Sequence, residues 1–350
     1  MDRRGGADAA ARWLQEVLPE GWTTSVTRRG SGGQEIRVTS PSGPSADVDL
    51  VAVTDATPRS VGALAPAEVP TLVVADWLSE RAQALLRARG VSFIDATGNA
   101  EVRLSEPGLF IRTEGAKRNP SPRPVKGPTL RGPKAWALLR TLAEVSPPIG
   151  VRELAEAVDV DAGYVSRVVG VLEQELLVTR APRGPVTDVE WEGVLRRAVS
   201  TYSLFDSNKT STWVASAGPE RLLADLTGKR TGRWAITGSF AASRLAPVAA
   251  PEVGVIYAED PDRLARAGRL LPVTRGANVV MAEPYDPIVF ERTVRSGIDT
   301  YVSTAQVALD CLVGTGRMPA EGEAVLGWMR KNEPRWRVAS LEPRCKTRSV

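Results

Sequence analysis

Apolar residues between positions 133 and 189 recur at helical and then at strand spacing. Val151, Leu154, Ala155 and Val158 fall at i, i+3, i+4 and i+7, one apolar face of a short helix. Asp159-Val160-Asp161 reads as a turn, with Asp161 placed to cap the next helix. Val165, Val168, Val169 and Leu172 repeat the spacing, while the opposite face carries Gly163, Tyr164, Ser166, Arg167 and Gly170. Leu138, Leu139 and Leu142 predict a helix ahead of this pair. Residues 177–180 and 186–189 predict two short strands around the loop Ala181-Pro182-Arg183-Gly184-Pro185.

Three helices followed by a hairpin make the order of a winged helix-turn-helix, expected over residues 134–189. The small, polar and basic face of the 161–175 helix suits a major groove. On that reading Tyr164, Ser166 and Arg167 lie nearest base edges, and Arg167 alone can make a bidentate contact to guanine. Lys134 and Arg152 are expected to neutralise phosphates of the DNA backbone. Arg180 and Arg183 would do so from the wing or enter the minor groove. The competing reading is the same fold used for protein contacts only.

The pattern on either side predicts α/β structure. In residues 1–113 a helix at 9–18 precedes strands at 35–39, 46–53 and 71–75. An amphipathic helix at 79–89 and strands at 91–95, 101–104 and 109–112 follow. Residues 190–332 open with a helix whose apolar stripe is Trp191, Val194, Leu195 and Ala198, and continue as mixed α/β. Between the first block and the helices lies a linker, 114–133, marked by Pro120, Pro122, Pro124, Pro128 and Pro133. Residues 333–350 read as a basic tail with Arg335, Arg337, Arg344, Lys346 and Arg348.

Charge sharpens this picture. The 350 residues carry a formal charge of +4, with 43% hydrophobic and 25% charged residues, the balance of a globular chain of two or three domains. The basic residues cluster: Lys117, Arg118, Arg123, Lys126, Arg131, Lys134 and Arg140 lie between positions 115 and 143 without an intervening acid. Such a run beside a helix-turn-helix reads as an electrostatic footprint for phosphate. There is no histidine, which excludes a Ser-His-Asp triad, histidine metal ligands and a histidine base. Two cysteines, Cys311 and Cys345, cannot build a four-thiolate zinc site, and their isolation fits a reducing cytoplasm. No signal peptide or bilayer-spanning apolar run is read, so a cytoplasmic, nucleoid-associated protein is expected, without a membrane partner. No cofactor and no metal are expected.

Two resemblances concern catalysis. The order of elements in 1–113 resembles the core of restriction-endonuclease-like domains, which hold a metal through an Asp on one strand and Glu-x-Lys on the next. Asp47 or Asp49 fits the first place, but the following strand ends in Asp76-Trp77-Leu78, without a lysine to orient water. A nuclease-like scaffold without activity is therefore expected, against the alternative of an unrelated small α/β domain. Further on, Thr237-Gly238-Ser239 looks like the turn that opens nucleotidyltransferase folds. Glu252 occupies the first carboxylate place of the Asp-x-Asp strand and Gly254 the second, so two-metal transfer lacks a ligand. A cleft at Gly238, Ser239 and Glu252 that binds a phosphorylated ligand without turnover is the expectation.

The longer series is more specific. The helix with Trp191 and Arg196-Arg197, the Thr237-Gly238-Ser239 turn and Glu283-Pro284-Tyr285-Asp286 follow one another behind the helix-turn-helix. So do residues 302–312, Gly316-Arg317 and Glu321-Gly322-Glu323-Ala324. Together they resemble the AbiEi-type antitoxin family of type IV toxin–antitoxin systems, over about residues 130–330 and the 71–112 segment. The resemblance implies a winged-helix protein that binds double-stranded DNA at its own promoter and, in some members, neutralises a nucleotidyltransferase-like toxin. This chain departs from a minimal antitoxin by its N-terminal α/β block. A short reading helix covers few base pairs, so a dimer or cooperative binding is expected. The alternatives are a nucleotidyltransferase targeted to nucleic acid and a regulator that senses a nucleotide or metabolite as effector.

Overall fold

Alternating apolar residues order the first hundred or so positions into one mixed sheet flanked by helices. The computed structural model describes residues 3–28, 34–54, 56–64, 69–121, 129–226, 231–296 and 299–341. Contacts divide the chain into two units, Met1–Lys126 with Glu173–Leu176, and Gly127–Leu172 with Leu177–Val350. The first contains α1 (Arg3–Val17), β1 (Thr23–Arg28), β2 (Gln34–Thr39), β3 (Ser45–Val53), α2 (Pro58–Gly62), β4 (Thr71–Ala75), α3 (Glu80–Ala88), β5 (Ser92–Asp95), β6 (Ala100–Leu104) and β7 (Leu109–Thr113). The seven strands lie in sequence order. The pairs β3–β4 and β4–β5 are parallel, bridged by α2 and α3, and the outer pairs are antiparallel.

Strand periodicity assigns the two faces. Leu72, Val74, Ile94 and Val102 pack under Ala10 and Leu14 of α1, whereas Val73, Ala75 and Phe93 meet Ala82 and Leu86 of α3. Strand β1 lacked a sequence signal because its residues TTSVTR carry a single aliphatic side chain. It is held by register with β2, Val26 opposite Ile36. The unit runs beyond residue 113, into the expected linker. Gly115 donates its N–H to Asn99 Oδ1 at 2.8 Å, and Trp77 Nε1 donates to the Ala116 carbonyl at 3.0 Å. The nuclease-like candidates stay apart. Asp47 is held in a bidentate pair by Arg37, at 2.7 and 2.8 Å, while Asp49 lies opposite Glu35 in the β2–β3 register.

The second unit begins with α4 (Pro133–Glu144), α5 (Val151–Val158), α6 (Ala162–Gln174), β8 (Val178–Arg180) and β9 (Val186–Val189). It continues with α7 (Trp191–Val199), α8 (Leu204–Ser207), β10 (Lys209–Val214), α9 (Pro219–Leu226), β11 (Trp234–Thr237), α10 (Gly238–Ser243), β12 (Gly254–Ala258), α11 (Pro261–Gly268), β13 (Leu271–Pro272), β14 (Val279–Glu283), β15 (Val294–Ser296) and β16 (Asp299–Tyr301). Helices α12 (Thr304–Leu312), α13 (Met318–Lys331) and α14 (Glu333–Trp336) complete it. Its large sheet has the order β13-β10-β14-β12-β11-β16-β15. Strands β11 and β12 are antiparallel, and β12 and β14 parallel.

Residues 134–189 and 190–332, expected as separate domains, share one hydrophobic core. The cause is α4, in which every residue from Ala135 to Glu144 is buried. Arg140, counted in the basic footprint, is wholly inside. Its Nε donates to Glu144 Oε1 at 2.7 Å, and its two Nη atoms donate to the carbonyls of Ile288 and Glu291. Arg292 and Ser303 bind the same Glu144 carboxylate. Burial pulls the Arg140 pKa down. Burial pushes Glu144 up, but the charges of Arg140 and Arg292 outweigh it and hold the carboxyl below its ordinary value. A charge inside a protein is tolerated only when paired and hydrogen-bonded, and this cluster satisfies both.

The expected tail also closes on the unit. Val338 N–H donates to the Glu144 carbonyl at 2.9 Å, Ser146 N–H donates to the Val338 carbonyl at 2.9 Å, and Trp336 meets Trp191 edge-on at 5.0 Å. Arg337 donates to the Val145 carbonyl, so it is a structural residue. Arg335 lies over the ring of Trp328. Arg123, Lys126, Arg344, Cys345, Lys346 and Arg348 lie outside the described residues. Among the described residues no helix is long and apolar enough to cross a membrane.

Candidate nucleic-acid interface

Helices α5 and α6 present the face read from the sequence. Leu154, Ala155 and Val158 of α5 and Val165, Val168, Val169 and Leu172 of α6 are buried. The turn between the helices is set by Asp159 in the left-handed region at φ 57°. Asp161 then caps α6, its Oδ1 accepting from the Tyr164 N–H at 2.7 Å. Arg167 is exposed, and Tyr164 and Ser166 are half-buried. An ideal Cβ at Gly163 would meet Asp161 Oδ1 at 2.9 Å and Arg167 Nη1 at 3.4 Å. Glycine there leaves room for both the cap and the guanidinium. Partial burial raises the Tyr164 pKa, against the opposing charge of Arg167, so its hydroxyl stays a donor at neutral pH.

The hairpin is braced to α6. Strands β8 and β9 pair antiparallel, with an irregularity between Thr179 and Arg180. Ile149, ahead of α5, exchanges both backbone bonds with Val186, anchoring the start of β9 next to the loop. Arg180 Nη1 donates to Ser166 Oγ at 3.1 Å. At the tip, Arg183 is exposed with φ 55°, and the Gly184 N–H donates back to the Ala181 carbonyl. Arg152 is exposed at the start of α5, next to the exposed Glu153. The structure thus joins Arg180 to Ser166, which precedes the exposed Arg167 in α6, with Arg183 at the tip of the hairpin.

Lys134 does not join them. Its ammonium donates to the Val158 carbonyl at 2.9 Å and lies 3.4 Å from the buried Asp286 and 4.0 Å from Asp159. It caps the end of α5 and fixes that helix to the rest of the unit, a role that spacing alone does not separate from phosphate contact.

The expected cleft at Gly238, Ser239 and Glu252 is filled. Gly238 and Ser239 are buried, and Ser239 Oγ donates to the buried Glu321 at 2.6 Å. Arg317 reaches Glu321 at 3.3 Å and Glu252 at 3.8 Å. A Cβ on Gly238, which has φ +63°, would approach Val255 at 3.2 Å and Met318 at 3.3 Å. Glu252 precedes β12 and is exposed. A side chain at Gly254 would meet Pro219 at 3.1 Å. The start of α13 therefore packs directly against the Gly238-Ser239 turn.

Beneath the turn lies a polar cluster that the sequence did not announce. Asp310 is fully buried, Oδ1 accepting from Tyr202, Tyr257 and Gln306 at 2.7, 3.0 and 2.8 Å and Oδ2 from Thr237 at 2.6 Å. Burial pushes its pKa up to about 6, with the hydrogen bonds pulling the other way.

The HVO_A0114 family model matches residues 132–193, which span α4, α5, α6, the β8–β9 hairpin and the start of α7. No curated protein matches the chain. A solved structure of EndoMS in its apo form aligns at 19% identity over 26% of this chain, with a TM-score of 0.17. The chain spans 45% of the length of that protein, and so slight a likeness carries no argument about fold or activity.

Proposed function

We propose that this protein is a sequence-specific regulator that binds double-stranded DNA through a winged helix-turn-helix, with α6 as the reading helix and the β8–β9 hairpin as the wing. The observation that carries the reading is the hydrogen bond by which Arg180 ties the hairpin to Ser166 of α6, with the next residue, Arg167, exposed. Tyr164, Ser166 and Arg167 face base edges, Arg152 and Arg183 meet phosphates, and Arg180 sets the angle of the wing. The AbiEi-type resemblance gives the target as the protein's own promoter, bound as a dimer or cooperatively, with a cognate toxin as the further partner.

The large sheet of the second unit is read as a nucleotidyltransferase-like fold without turnover. Supporting this are the antiparallel β11–β12 and parallel β12–β14 pairs around the Gly238-Ser239 turn. The plug formed by Met318 and Glu321 and the absence of a carboxylate at Gly254 argue against transfer chemistry. The N-terminal unit is read as a nuclease-like scaffold, likewise inactive.

Gel-shift titration of the full chain on its promoter at several salt concentrations tests the reading. Arg167→Ala should weaken promoter binding far more than binding to random DNA, by about 1–3 kcal/mol. Arg183→Ala should weaken both alike and lower the salt slope by about 1. Unchanged affinity in both variants would remove α6 from DNA recognition.

A further inference from the structure

We infer that the first unit binds a small hydroxylated phosphomonoester, such as a sugar phosphate or a nucleoside monophosphate, in the cleft between α3 and the β6–β7 end of its sheet. The inference stands apart from DNA binding, since every residue it uses lies within residues 78–117.

The cleft has a volume of about 290 Å³ and is walled by Gln83, Arg87, Asn99, Arg112 and Lys117, with Glu80 and Glu114 at its exposed border. That is the small end of ligand sites, which run from about 300 to 1,000 Å³. Behind its Arg87 and Arg112 lies a cluster of charge outside the lining itself. Glu101 on β6 is buried, its side chain 3% exposed, and three guanidinium groups converge on it. Arg87 Nε lies at 2.9 Å and Arg112 Nε at 3.7 Å, and Arg103 completes the set. One carboxylate thus faces three guanidinium groups, with Arg103 and Arg112 about half exposed, and an anion beside Arg87 and Arg112 would add to their pairing. Arg87 is also fixed in place, one Nη donating to Gln83 Oε1 at 2.9 Å while Gln83 Nε2 donates to the Leu78 carbonyl. A guanidinium fixed beforehand loses less entropy on binding.

The remaining wall is equally ordered. Asp95 holds Asn99 and the Leu78 N–H, and Asn99 holds Gly115, so the two loops bordering the cleft are tied through one buried carboxylate. The border acids choose the ligand. Glu80 and Glu114 repel a nucleic-acid backbone, whose charges extend beyond the cleft, but accept hydrogen bonds from hydroxyl groups. A single phosphate on the Arg87 and Arg112 side, with hydroxyls toward Glu80 and Glu114, satisfies both ends.

The test is calorimetry and thermal shift on the full chain with inorganic phosphate, ribose 5-phosphate, adenosine monophosphate and a phosphate-free sugar as probes. The expected result is saturable binding of the phosphomonoesters, tighter than inorganic phosphate, with none for the free sugar. Arg112→Ala changes a half-exposed side chain, so the fold should persist and affinity fall roughly ten- to hundredfold, the loss of a charge-assisted hydrogen bond. Lys117→Glu should weaken binding in the same direction, and Arg87→Lys should keep the charge yet lose affinity with the fork geometry. Absence of binding by every phosphomonoester, or binding that Arg112→Ala and Lys117→Glu both leave intact, overturns the inference. Preference for inorganic phosphate over the esters overturns the role given to Glu80 and Glu114.

Discussion

Asp310→Asn should stabilise the second unit at neutral pH and remove part of its pH dependence. The carboxyl is fully buried, and burial raises its pKa to about 6 from an ordinary value of 3.8. The folded state therefore holds the proton more tightly than the unfolded state. Below about pH 4 both states are protonated and the group costs nothing. Between about pH 4 and 6 the unfolded chain ionises first, so stability falls as pH rises, and above 6 the penalty is constant. Two pKa units correspond to roughly 3 kcal/mol. Asparagine keeps an oxygen for Tyr202, Tyr257 and Gln306, and its amide faces Thr237, whose hydroxyl can turn and accept. Less about 1 kcal/mol for that altered contact, the variant should gain roughly 1–2 kcal/mol at pH 7. Urea denaturation of both proteins from pH 4 to 7.5, followed by tryptophan fluorescence, gives the difference and cancels other titrating groups. A difference that stays constant across this range would refute the assignment of the buried charge to Asp310. Asp310→Ala, which leaves buried hydroxyl groups unsatisfied, should be less stable at every pH.

Glu144→Ala strands Arg140 inside the core and should cost about 3–5 kcal/mol in chemical denaturation, whereas cutting the exposed Arg37–Asp47 pair should change stability far less. Gly238→Ala meets a positive φ and close contacts with Val255 and Met318, so its melting temperature should fall, by the equivalent of roughly 1–3 kcal/mol. Plasmid, single-stranded DNA and RNA incubated with the protein and magnesium or manganese should stay intact, and cleavage lost in Asp49→Ala would reverse the reading of the first unit.

The sequence made the helical stripes of α5, α6 and α7 legible because each is amphipathic, and the apolar positions named from spacing are buried except Val151, which is half-buried at the start of α5. It misjudged positions decided by distant partners. Arg140 counted as a surface cation, yet its acceptors at Ile288 and Glu291 lie 148 and 151 residues away. Ser239 looked free to bind an anion until Glu321, 82 residues on, took its hydroxyl. Lys134 has the composition of a phosphate contact and the geometry of a helix cap. Glu101 and Asp310 gave no signal at all. Apart from Arg103 on β6 and Gln306 on α12, their partners sit on other elements, which spacing along the chain does not record. Glu252, expected on a strand, lies ahead of it, since β12 starts at Gly254.

The closing of the Arg140–Glu144 cluster has a consequence for the order in which the chain is made. Helix α4 leaves the ribosome before Ser303, which lies 159 residues after Glu144. At about 5–20 residues per second, on the order of ten seconds pass before that partner is synthesised. During this interval Arg140 and Glu144 have one another, four residues apart on the same helix, and water in place of the missing groups. An apolar residue at either position would leave α4 greasy on every side while its cover is still unmade. The nascent chain thus carries a charged pair on a helix that ends buried from Ala135 to Glu144, and the pair is drawn into the interior only when the later residues arrive.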